Sequence, residues 1–224
     1  MTASRPSDPG EPVALGQRLN EILAELGEVP LDSALASEFG AYAALLIHWN
    51  ARTNLTAVRD VEGILRRHFA ESIACARFLP AGIATLLDFG SGAGFPGLPI
   101  ALCRRDIAVT LAESQGKKAA FLREAVRVLG IAVRVHSGRA EALGEGFDCV
   151  TLRAVDRMSD AMRAASGLVG AGGRLALLTT AAGEAAIKEW AGPGFSWEPG
   201  RWIPGSSDRI FLLGRQEFVP RGTL

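Results

Sequence analysis

The chain is poor in the residues that most often announce chemistry. Its 224 residues include three cysteines, Cys75, Cys103 and Cys149, an odd number set far apart. That usage argues against a disulfide framework and fits a reducing compartment. Three histidines, His48, His68 and His136, supply no metal-ligand spacing, so no metal site is expected. No apolar run approaches the roughly 18 residues needed to span a bilayer, so no membrane association is expected either. The opening MTASRPSDPGEPVA has no signal-type apolar core and reads as a disordered lead-in over 1–14. A cytoplasmic protein is the expectation.

Lysine is scarce as well. Only Lys117, Lys118 and Lys188 contribute to the 24 basic residues, leaving 21 arginines. Such a bias suits phosphate contact, although a biased genome composition produces it equally. Formal charges cancel overall, yet residues 1–40 carry two arginines against seven acidic residues, a balance of −5. The remainder therefore carries +5, which permits RNA binding without requiring it.

What is present has a clear order. Leu15, Leu19, Ile22, Leu23 and Leu26 share one helical face, and Gly27 ends that segment. Asp32 or Ser33 caps a second helix with Phe39, Tyr42, Leu46 and Trp49 at helical spacing. A third begins near Asp60 and runs through Ile64, Leu65, Phe69 and Ile73 to Pro80, after the polar link WNARTNLTAVRD. From residue 83 the texture changes. Strand-like runs at 84–90, 107–114, 131–138, 147–155 and 173–180 alternate with helical segments near 98–104, 116–129 and 156–169. That alternation predicts a doubly wound, mostly parallel α/β sheet. A last strand is expected at 209–218, with 190–208 as Gly-, Pro- and Trp-rich connection. The division is thus an N-terminal helical subdomain over 15–80 and an α/β core over 81–224.

The stretch LLDFGSGAGFPGLPI, residues 86–100, carries the most information. Residues 92–97 satisfy the GxGxxG pattern of dinucleotide enzymes, a weak signal by itself. Residues 88–94, DFGSGAG, place an acidic residue and then GxGxG at the end of a strand. Asp88 there suits a cationic ligand such as S-adenosylmethionine and repels a pyrophosphate, while Gly90, Gly92 and Gly94 let a ligand approach the backbone. Pro96 removes a donor that a phosphate would use. Glu113 ends the next strand, where an acidic side chain accepts hydrogen bonds from ribose hydroxyls, and this serves either cofactor. Ala140 and Glu141 follow the third strand, where an adenine is expected.

These segments together resemble the bacterial 16S ribosomal RNA guanine-7 methyltransferases, historically called glucose-inhibited division protein B. The resemblance runs from about residue 15 onward and rests on WNARTNLTAVRD (49–60), RRHFAESI (66–73), LLDFGSGAGFPGLPIA (86–101), VTLAESQGKKAAFL (109–122), GRAEAL (138–143) and FDCVTLRAV (147–155). It implies a Rossmann-like class I methyltransferase with a seven-stranded sheet, S-adenosylmethionine as cofactor, and 16S ribosomal RNA or the small ribosomal subunit as partner; a monomer is the expectation because nothing in the sequence demands an oligomer. By the same resemblance Gly90 and Phe95 contact the cofactor, Glu113 its ribose, and Ala140 and Glu141 its adenine end. Arg153 matches an arginine beside the methyl-transfer site, contacting guanine, a phosphate or the cofactor carboxylate, and is the one candidate catalytic residue. Arg66, Arg67, Lys117 and Lys118 are candidate RNA contacts, set against an ordinary solvated surface. His68 is expected to bridge helix and sheet. The family often carries a lysine where this chain has Thr179. Two other readings stay open: an NAD(P)-dependent oxidoreductase, and an RNA-binding protein of the same fold without turnover.

Overall fold

The computed structural model describes residues 11–153 and 157–217. Of the lead-in expected over 1–14, residues 1–10 lie outside that range, and Pro12 already opens helix α1, Pro12–Glu25. Its buried stripe is Leu15, Leu19, Ile22 and Leu23, as the spacing requires. Helix α2, Ser33–Thr53, starts at Asp32, whose side chain accepts from the Leu35 amide. The two helices cross backbone to backbone. A Cβ on Gly16 would lie 2.3 Å from the Ala36 carbonyl oxygen, and one on Gly40 would lie 1.9 Å from that of Pro12. The third helical run is α3, Val61–Ile64, a π-helical turn, Leu65–Ala70, and α4, Glu71–Phe78. Such turns are rare and often mark functional segments.

The strands are β1 Thr85–Phe89, β2 Ala108–Glu113, β3 Arg134–Ser137, β4 Phe147–Arg153, β5 Val169–Thr180, β6 Phe195–Trp197, β7 Arg201–Trp202 and β8 Arg209–Gln216. They form one sheet in the order β3-β2-β1-β4-β5-β8-β6, with β7 also against β8. The first five are parallel, and β8 is antiparallel to its neighbours. Three expectations need correction. Strand β5 begins at Val169 rather than 173, because the Gly172–Gly173 pair is a bulge inside the ladder: Phe147 pairs with Val169, and Cys149 with Arg174. The connection expected over 190–208 holds β6 and β7, too short to show a period of two. The sheet therefore has eight strands, seven of them on the main path. Expected strand residues 154, 155 and 218 lie outside the described range.

Helices α5 (Gly97–Cys103) and α6 (Gly116–Leu129) cover one face of the sheet; α7 (Met158–Ser166) and α8 (Glu184–Ala191) cover the other. Side chains alternate between the two faces. Leu86, Cys149, Leu178 and Phe211 point into the first core, and Leu87, Val150, Leu177 and Leu212 into the second. The first core is continuous from Leu15 to Leu213, so the N-terminal helices share it with the sheet.

The helix crossing gives a test. A Cβ at residue 40 meets a carbonyl fixed in its own helix, so Gly40→Ala should lower the unfolding free energy by about 2 kcal/mol or more. Gly194, with nothing within 4 Å of an added Cβ, should tolerate alanine; urea unfolding of both variants checks the pair.

Candidate active site

Strand order reverses around β1, which lies between β2 and β4, and crevices in such sheets open at the carboxyl ends of those strands. A cavity of about 620 Å³ lies there, within the range of roughly 300–1,000 Å³ usual for small-molecule sites. Its walls are Gly90–Gly92 after β1, Glu113–Gln115 after β2, Ala140 and Glu141 after β3, and Arg153 at the end of β4. Leu55–Ala57 and His68 from the N-terminal region close one side, with Phe95 between them and the glycine loop.

The glycine loop is held from below. Ser91 donates its amide to Ala112 and its hydroxyl to the Asp88 carbonyl, while the Gly94 and Phe95 amides donate to the Ser91 carbonyl. Gly90 and Gly92 have φ of 70° and 57° and present their backbone to the cavity. Gly94 does not. A Cβ there would lie 2.5 Å from Leu98 and 2.6 Å from the Tyr42 hydroxyl, so it turns toward the packed interior. Asp88 also departs from its expected place. It is 1% exposed and off the cavity wall, accepting from the Thr151 hydroxyl at 2.9 Å and the Gly97 amide at 3.2 Å. Burial pushes its carboxyl up to about 6, against the pull of those hydrogen bonds. It braces the loop and the start of α5 rather than meeting a cationic ligand.

Glu113 is where the sequence places it. Its carboxylate accepts from the Gly92 amide at 2.8 Å and the Gln115 amide at 2.7 Å, and it lines the cavity. Each oxygen retains a lone pair for a hydroxyl donor. Ala140 and Glu141 sit in the 3₁₀ turn Ala140–Leu143, with Glu141 paired to Arg139. Phe95 is 8% exposed and stacks between Tyr42 and His68, with ring centroids 5.4 and 5.1 Å away. Tyr42 also donates its hydroxyl to the Ala93 carbonyl at 2.5 Å, tying α2 to the loop.

Arg153 is the most constrained cation in the cavity wall. Its side chain is 7% exposed, with Glu71 Oε2 at 3.2 Å, the Ser72 hydroxyl at 3.3 Å and His68 Nδ1 at 3.0 Å; it also donates to the Arg67 carbonyl. A guanidinium only donates, so His68 Nδ1 accepts and its Nε2 carries the proton, donating to Thr56 Oγ1 at 2.6 Å. The neutral ring is also what burial and the Arg153 charge favour, holding its pKa down to about 3. Thr56 is fixed in turn by the link after α2. Asn50 accepts from the Thr56 amide and donates to the Val58 carbonyl, and Asn54 takes φ of 48°. The polar link is therefore a shaped cavity wall. Sequence reasoning missed Tyr42, Thr56 and Glu71 as site residues, because each looks like an ordinary helix or turn residue until the chain is folded.

The comparisons with known proteins are of one kind. The family model described as GidB, rRNA small subunit methyltransferase G, matches residues 35–192. The chain belongs to that family. A ribosomal RNA small subunit methyltransferase G of Stenotrophomonas maltophilia is 43% identical over 167 residues, 73% of this chain and 76% of its own. One from Roseiflexus is 46% identical over 136 residues, 58% of each chain. Among solved structures, a methyltransferase from Pyrococcus furiosus superposes with a TM-score of 0.58 at 17% identity, covering 78% of this chain and 98% of its own. TrmN from Thermus thermophilus does so with 0.54 at 23%, covering 68% and 53%. At those identities the likeness is one of fold, and none of these relatives supports an oxidoreductase.

The candidate RNA contacts fare unequally. Arg66 is committed: it pairs with Glu25 and Glu62, the latter also held by Arg18, so its charge is spent on joining α1 to α3. Arg67 is exposed. Lys117 is exposed, and Lys118 lies on the cavity rim. Thr179, in place of the frequent family lysine, pairs with Ile210 in the sheet and is not on the cavity wall.

The buried neutral His68 has a consequence for stability. Below about pH 6.5 the unfolded chain protonates this ring while the folded one resists down to about 3, so stability from this group is lost as pH falls through that window. His68→Gln should flatten the slope of unfolding free energy between pH 6 and 5 by up to about 1.4 kcal/mol per pH unit. Urea titrations at the two pH values check it; an unchanged slope would mean that the folded ring takes up its proton as readily as the unfolded one.

Proposed function

We propose that the chain transfers the methyl group of S-adenosylmethionine to N7 of a guanine in small-subunit ribosomal RNA. The observation that carries this reading is a cavity at the carboxyl ends of β1, β2, β3 and β4 that ends at a buried arginine paired with Glu71, in a chain of this family. The cavity suits the cofactor on three counts. Its volume is adequate, the Gly90 and Gly92 backbone is unshielded by any Cβ, and Glu113 supplies a carboxylate at the strand end. Gly90–Gly92 and Glu113 would hold it, with Ala140 and Glu141 at the adenine end and Phe95 as a wall. When bound, S-adenosylmethionine supplies an electrophilic methyl group.

The chain's own part is to hold and shield the acceptor. Guanine N7 has a free lone pair and no proton, so no general base is needed. His68, beside Arg153, is engaged through both nitrogens and is not free to act as one. No covalent nucleophile is needed either, and Cys149, within β4, is fully buried in the first core with its thiol pushed up to about 12 by burial. Arg153 suits the O6 acceptor beside N7. Because Glu71 balances its charge, the guanidinium can donate hydrogen bonds without opposing an acceptor that turns cationic on methylation. Orientation of this kind is worth several powers of ten in rate.

On the RNA side, Lys117 and Lys118 lie in the first turn of α6, which contains no acidic residue. Cations oppose the helix dipole at that end, so their placement favours an external anion such as a phosphate. Arg67 is the third candidate contact. In this reading residues 15–80 shape the acceptor side and 81–224 hold the cofactor. The reading takes a monomer as the active unit, and a cytoplasmic site of action follows from the substrate. No helix among the described residues is long and apolar enough to cross a membrane.

Incubation with labelled S-adenosylmethionine and small-subunit RNA from a strain lacking the modification should yield 7-methylguanine on nuclease digestion and mass spectrometry. Cofactor binding with no label in guanine would sink the proposal. Arg153→Lys, which keeps charge but loses the planar fork, should lower kcat roughly 10–100-fold. Glu113→Ala should weaken cofactor binding about tenfold or more, read by calorimetry.

A further inference from the structure

A second cleft, of about 410 Å³, opens between the π-helical turn carrying Arg66 and Arg67 and the turn Pro204–Asp208 that leads into β8. The two cavities meet at Glu71. Its Oε2 lies 3.2 Å from Arg153 in the first, and its Oε1 lies 3.4 Å from Arg209 Nε in the second. Glu71 Oε2 is buried without a hydrogen-bond partner among the described residues, so neither arginine satisfies this carboxylate fully. Burial raises its pKa, against the pull of Arg153 first and then Arg209.

The cations of the second cleft are unequally engaged. Arg66 is spent on Glu25 and Glu62. On the walls that leaves Arg67 and Arg209 against Glu71 and Asp208, two cations to two anions, and Glu71 also faces Arg153 in the first cavity. Arg209 meets Glu71 through Nε, and its two terminal nitrogens make no hydrogen bond among the described residues. Arg67, on the opposite wall, is exposed and in no ion pair among them. The turn between is rigid: Gly205 has φ of 74°, and Ser206 donates to Asp208 while accepting from the Arg209 amide. Ser207 is left exposed at its tip, with a hydroxyl free to donate.

We infer that this second cleft seats a phosphodiester of the RNA strand beside the target nucleotide, held by Arg67 and Arg209 from opposite walls. A planar guanidinium fork matches a phosphate bidentately. The position follows from the first cavity: Arg153 on its wall and Arg209 on the wall of the second face the same Glu71 carboxylate, so a base presented at Arg153 brings its adjoining backbone toward Arg209. Arg209 thereby has two partners in sequence, Glu71 in the free protein and a phosphate in the complex. This rests on RNA being the substrate, as proposed above.

The test measures binding of small-subunit RNA directly, by filter retention across salt concentrations, beside methyl transfer. Arg67→Ala and Arg209→Gln should each weaken RNA binding about 3–10-fold and lower the slope of log affinity against log salt by about one. S-adenosylmethionine affinity should stay as in the wild type. If Arg209→Gln fails to fold because Glu71 is left alone, the pair Arg209→Gln with Glu71→Gln removes both charges and should show the same lowered slope. Wild-type RNA affinity and salt slope in Arg67→Ala and in the Arg209 variant would overturn the inference. A wild-type protein that methylates no guanine, while the variants still lose RNA affinity, would overturn the reaction and support the cleft.

Discussion

Everything at the cofactor end depends on one buried carboxylate. Asp88 joins β4 through Thr151, α5 through the Gly97 amide and the glycine loop through Ser91, whose hydroxyl returns to the Asp88 carbonyl. A buried charge is costly unless it is paired or hydrogen-bonded, and here two donors serve the carboxylate itself. Gly97 is part of the same arrangement, since a Cβ there would lie 2.4 Å from Leu111 and 2.6 Å from Asp88 Oδ2. The acid therefore sets how closely α5 approaches the sheet, and the loop above takes its shape from that approach.

At the other end a second charge cluster does comparable work by different means. Arg153, Glu71 and His68 come from β4, the first residue of α4 and the π-helical turn, so the cluster joins sheet to helix where an acceptor would enter. Its members are mutually saturated apart from one carboxylate oxygen. An acceptor already bearing a lone pair asks nothing of that oxygen and needs only to be held. The acceptor's chemistry and the local electrostatics thus point the same way.

The fold was legible in the sequence wherever periodicity ran long enough. Helix α6 was readable to the residue, and Glu113 could be placed because it follows an apolar strand in a parallel βα unit. Legibility failed for two physical reasons. A two- or three-residue strand such as β7 or β6 has no period, and a glycine pair reads as a turn whether it ends a ladder or bulges within one. At the site, residue type and strand end marked Glu113 and Arg153, but burial was invisible. Asp88 and Gly94 have the right chemistry for a ligand and face the interior, while Arg66 is neutralised by acids 41 and 4 residues away. Glu71 and Thr56 matter only through long-range contacts that no local pattern encodes.

The crossing of α1 and α2 and the unbroken core from Leu15 to Leu213 have a mechanical meaning. Two bodies that share a close-packed interior have no hinge, because opening one against the other would tear that packing. The wall bearing Thr56 and His68 and the floor bearing Gly92 and Glu113 are therefore parts of a single rigid frame. Separating these two walls would cost that packing, so an RNA strand that unstacks and presents its base meets a frame already assembled. Selectivity in such a system is set by how cheaply each candidate nucleotide can be drawn out of its own surroundings.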